Sequence, residues 1–159
     1  TVPAVAENVA HLSLTTRAFL PLFDAALEEA RERGLAGDGP FKLDVWGRLL
    51  RWTIEPPPRI RVKTTAPFQP VDVDPVSEVL PTFLGLQREL RARVEAADGL
   101  AIDRVKVVSP FARNVKYSVF SAFTIALANE RRHLWQAAGI HGTASDSDRL
   151  PRDTRNRER

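Results

Sequence analysis

Three long stretches of this chain repeat apolar side chains every three or four residues, and a sequence patterned that way buries its apolar surface as helices packed on helices. The first stretch is residues 3–33, with Val5, Val9, Leu12, Phe19, Phe23, Leu27 and Ala30 forming one stripe, Pro3 in the first turn and Gly34 as the stop. A second set, Leu14, Ala18, Leu22 and Ala25, widens the apolar arc and predicts more than one neighbour for this helix. The next helix is expected to begin near Asp74-Pro75 and to run through Val79, Phe83, Leu86, Leu90 and Val94 to a stop at Gly99, with Pro81 kinking its second turn. The last runs from about Asn114 to Gly139. Its stripe is Val119, Phe123, Ala126, Glu130, His133, Ala137 and Ile140.

The intervening segments are less regular. Residues 34–74 read as a long connection holding a short helix from Phe41 to Trp52, a stop at Pro56-Pro57-Pro58 and an extended stretch from Ile60 to Val73. A connection of that length is a candidate cover for an active site. A short extended piece at Val105 to Val108 and a break at Ser109-Pro110 precede the last helix. With 159 residues, 43% of them hydrophobic, the chain suits one core, placed at residues 1–141. Residues 142–159 alternate arginines with acids, contain Leu150 as their one large apolar residue, and are expected to be disordered.

Composition narrows the function. There is no cysteine, so disulfides and zinc-thiolate sites are excluded and the cytoplasm is the expected compartment. No apolar run reaches the roughly 18 to 20 residues that a membrane span needs, so no membrane partner is expected. The net charge is +3, but Arg149, Arg152, Arg155, Arg157 and Arg159 of the tail are interleaved with Asp146, Asp148, Asp153 and Glu158, the charge is not concentrated on a recognised module, and no nucleic-acid partner is expected.

Two members of the last stripe are not ordinary core residues. Glu130 and His133 are three apart and Asn129 is four before His133, so all three side chains share one side of the helix. On the first helix, His11 lies within the apolar arc. A buried carboxylate needs a proton, a cation or a metal, so Glu130 is open to three readings: partner of Arg17 or Arg131, metal ligand, or general base. A lone inward histidine such as His11 or His133 is open to two, a core residue bonded to a carbonyl or a ligand. The Glu130 to His133 spacing also matches one half of a di-iron carboxylate motif, but no second copy exists in the chain.

The run Ala128 to Ala137 (ANERRHLWQA) resembles the final-helix signature of the DinB/YfiT-like family, and Val5 to Leu14 (VAENVAHLSL) resembles the helix that supplies that family's first histidine. Pro56-Pro57-Pro58-Arg59, Val62-Lys63, Phe68-Gln69-Pro70 and Ser109-Pro110-Phe111 extend the likeness over about residues 4–140. The resemblance implies an all-α, four-helix bundle with a divalent metal, zinc or nickel, held by three histidines. His11 and His133 occupy the first and third ligand positions. Asn129 occupies the second, a departure from the family pattern, and Glu130 would be base or replacement ligand. The implied activity is a metal-dependent enzyme acting on a small-molecule substrate, either an S-transferase using a low-molecular-weight thiol or a hydrolase. Two alternatives stand beside it: a metal-free small-molecule-binding or stress-associated accessory protein, and a structural, self-associating helical domain. Family members carry a further helix before the segment that here begins at Thr1, so the resemblance also implies that this helix is missing. The uncovered groove would then favour a homodimer, unless the short helix folds over it.

Overall fold

The computed structural model of the chain describes residues 2–57, 66–71 and 73–147, and the side chains of 5–57, 66–71 and 73–139. Four helices carry the fold: α1 (Val2–Glu32), α2 (Val45–Ile54), α3 (Val76–Ala96) and α4 (Val119–Ser147), with one turn of 3-10 helix at Ala66–Phe68. No helix among the described residues is long and apolar enough to cross a membrane.

α1 is the central element. Leu12, Phe19, Phe23, Leu27 and Ala30 are buried, while Leu14, Ala18 and Leu22 of the second set are half-buried and Ala25 is exposed. The first stripe therefore makes the core, and α3 and α4 both pack on it. Phe23 is fully buried and stacks on Phe123 of α4 with ring centroids 4.1 Å apart, a contact whose truncation to alanine would cost about 3 to 5 kcal/mol. α1 ends as its glycine requires. Gly34 takes φ 60°, and the amides of Gly34 and Leu35 close on the carbonyls of Arg31 and Ala30.

Two boundaries differ from the sequence reading. Lys116–Ser118, expected to be helical, forms a strand β2 that pairs antiparallel with β1 (Lys106–Val108), with Val107 opposite Tyr117. The purely helical expectation is corrected by this small ladder. Its cause is side-chain burial: Tyr117 and Val107 sit inside the core, which the alternation of a strand achieves and a helical turn starting at Asn114 would not. At the other end, α4 continues to Ser147 rather than stopping at Gly139, because one glycine in a helix costs only about 1 kcal/mol and no proline follows until Pro151. The tail reading from residue 148 onward, and the extended reading from residues 60–65, fall outside the described residues.

The short helix is at Val45–Ile54, four residues later than the sequence suggested, because Asp44 caps it. Asp44 accepts from the Gly47 amide at 2.8 Å, the Ser118 amide at 2.7 Å, Ser121 Oγ at 3.0 Å and Lys106 Nζ at 2.6 Å. Burial alone would raise this carboxyl; the four donors outweigh it and hold it below the usual aspartate range. One carboxylate thus ties the start of α2 to the junction of β2 and α4. α2 lies across α4, held further by a two-pronged ion pair from Arg131 to Glu55 at 2.6 and 2.9 Å. Leu80 and Leu84 of α3 and Leu127 and Leu134 of α4 stay exposed, so α2 does not cover them.

Candidate small-molecule site between α1, α2 and α4

α4 turns about 100° per residue, so Ile125, Asn129, Arg132 and Gln136, spaced by four, three and four, line one edge of the helix, with His133 beside them. That edge faces α1 and α2 across a cavity of about 430 Å³. Asn8 and His11 come from α1, and Leu50, Thr53 and Ile54 come from α2. Phe68, Phe111 and Val115 close the remaining wall, Phe68 meeting Phe111 with ring centroids 4.8 Å apart.

The two histidines that the sequence singles out meet here. Their rings are 4.5 Å apart, centroid to centroid, tilted by 46°. His11 Nδ1 lies 2.7 Å from the Phe68 carbonyl, which can only accept, so Nδ1 carries the proton and Nε2 keeps the lone pair. His11 therefore is the carbonyl-bonded histidine of one of its two readings, and it also lines a cavity. His133 Nδ1 donates to Asn8 Oδ1 at 2.6 Å, which gives it the same tautomer. Burial, then the neighbouring His11 and Arg132, pushes His133 down to about 4. Burial lowers His11 as well, opposed by the Phe68 bond and assisted by Arg132. Both rings are neutral at pH 7.

Asn129 joins them on the cavity wall, and Glu130 does not. Its carboxylate accepts from Gln87 Nε2 of α3 at 2.7 Å, on the opposite flank of α4. The structure thus bonds Glu130 to α3 and does not place it in the cavity lining with His11 and His133; residues three apart on a helix are offset by about 60°. Burial raises the Glu130 carboxyl, with the Gln87 bond and Arg131 opposing. Neither Arg17 nor Arg131 pairs with it; Arg131 is engaged by Glu55 and Arg17 lines a separate cleft of about 400 Å³ between α1 and α3. His141 lies beyond the described side chains.

Arg132 was not singled out by the sequence reading. It is 8% exposed, it lines the cavity, and its charge acts on both imidazoles. Its spacing from Asn129 and Gln136 was the available signal, hidden by its place between Arg131 and His133 in a charged run.

A zinc or nickel ion would find two imidazoles whose Nδ1 protons are anchored on oxygens, as metal-bound histidines usually are, and the Asn129 amide. No group of three or more His, Cys, Asp or Glu stands together among the described residues, and the nearby guanidinium opposes a dication. The described donors are thus two imidazoles and one neutral amide, a weaker set for zinc or nickel than three imidazoles.

Compared with family models, curated proteins and solved structures, the chain matches none.

Proposed function

We propose that this chain binds a small organic molecule in the cavity between α1, α2 and α4, without a resident metal. The observation that supports this best is the composition of the cavity: apolar walls from Leu50, Ile54, Phe68 and Phe111 around a floor of His11, Asn129, Arg132 and His133. Its volume of about 430 Å³ falls in the ~300 to 1,000 Å³ range of small-molecule sites, and a few convergent polar groups on apolar walls are how such sites fix orientation.

The second reading is the metal-dependent enzyme, a thiol S-transferase or hydrolase of the DinB-like kind, with His11, Asn129 and His133 as donors. The two anchored Nδ1 protons favour it, since they leave both Nε2 atoms as lone pairs.

One experiment separates the two. The full chain, stripped with chelator, is screened by thermal shift against small organic ligands, with and without zinc or nickel. Binding in the cavity raises the melting temperature without metal, by the equivalent of about 2.7 kcal/mol at a hundredfold excess over Kd, and Ala112→Trp at the exposed rim abolishes the rise. A rise that requires the ion would overturn the metal-free reading in favour of the second.

A further inference from the structure

We infer that the ligand of this cavity is an organic monocarboxylate with an apolar body, anchored by the Arg132 guanidinium; this rests on the small-molecule reading above.

The inference starts from a charge without an evident counter-charge. Arg132 is more than nine-tenths buried and lines the cavity, yet no carboxylate stands within ion-pair distance of it among the described residues. Other arginines of the chain show the usual arrangement: Arg131 has Glu55 and Arg93 has Asp24 and Glu89. The guanidinium opens onto the cavity, so an anion entering there gains a charge-assisted partner.

The rest of the cavity sets the charge and shape of that anion. Among the described residues Arg132 is the one cation in the lining, no Asp or Glu lines it, and the two imidazoles are neutral. A single positive charge matches a single negative one. The guanidinium fork accepts a planar carboxylate through two parallel hydrogen bonds, a geometry specific to arginine. Beyond the head group, Leu50, Ile54, Phe68, Phe111 and Val115 offer an apolar surface for an alkyl or aryl body.

The test compares each acid with its own neutral isostere. Phenylacetate, 4-phenylbutyrate and octanoate, and their three primary amides, are titrated calorimetrically into the chelator-treated full chain at pH 7.5. At least one carboxylate should bind about tenfold or more tightly than its amide, with the preference shrinking as salt is raised. Arg132→Gln should bring acid and amide to within about twofold of each other, and Arg132→Lys should keep part of the preference. Equal binding of acids and amides by the parent, or a preference that survives Arg132→Gln, overturns the anion assignment and leaves the cavity as a ligand site. Binding of neither series overturns both. The acid-to-amide ratio of the parent decides the matter even if the variants fail to fold.

Discussion

Gln87 Nε2 donates to Glu130 Oε1 at 2.7 Å, joining α3 to α4 on the side away from the histidines. Glu130→Gln should therefore leave ligand binding in the cavity unchanged, measured by the same calorimetry. It should change the pH dependence of stability. Burial raises the folded-state pKa of Glu130, so the folded protein holds this proton longer than the unfolded chain does. The parent then loses stability as pH rises from the ordinary glutamate value through the raised one. Glu130→Gln lacks that loss, and melting temperatures between pH 4 and 8 should show its advantage growing over that window and levelling above it.

Two glycines should respond in opposite directions to the same substitution. A Cβ on Gly47 would collide with Ser121, where α2 rests on α4, so Gly47→Ala should destabilise by about 1 to 3 kcal/mol and weaken ligand binding as α2 is pushed away. A Cβ on Gly85, inside α3, meets only Arg88 Nη2 at 3.9 Å. Gly85→Ala should stabilise by roughly 0.5 to 1 kcal/mol. Urea unfolding midpoints read both, and equal signs would show that α2 does not approach α4 this closely.

His133 should titrate near pH 4 in the metal-free protein, followed by the NMR shift of its ring protons. Its folded value lies below the unfolded 6.5, so the unfolded chain takes up a proton first as pH falls, and stability drops between about 6.5 and 4. The contribution is on the order of 3 kcal/mol at most, shared with His11, which is lowered for the same primary reason, burial. His133→Gln should flatten the melting temperature across this window. An unchanged slope would mean that the ring is accessible to water and protonates freely.

Asn129→His should create the third imidazole beside His11 and His133 and give stoichiometric zinc or nickel binding that the parent lacks, read by metal analysis after dialysis. Tight binding by the parent, lost in His133→Ala, would favour the metal-dependent reading instead.

Helices were legible because burial imposes a period on sequence: Leu12, Phe19, Phe23, Leu27 and Ala30 repeat as a stripe and are buried as one. The strand at Lys116–Ser118 was not legible, since three residues are too few to show an alternation and their pairing with Lys106–Val108 is set by contacts distant in sequence. His11 and His133 were visible as polar residues on apolar faces. The orientation of Glu130 was not, because the stripe is broad enough to span two flanks of α4 and only the position of α3 decides which flank Glu130 takes. Arg132 escaped notice for a related reason: burial of a charged residue depends on the cavity that admits it, and the cavity is made jointly by three helices.

The His11 to Phe68 bond spans 57 residues of chain and fastens the long connection to the central helix through one shared proton. A group that draws on the Nε2 lone pair makes Nδ1–H a stronger donor, so whatever engages His11 also tightens its grip on the Phe68 carbonyl. The converse holds by linkage: a connection held in place presents a more basic Nε2. Engagement of His11 in the cavity and its hold on the Phe68 carbonyl are thus linked through one imidazole ring.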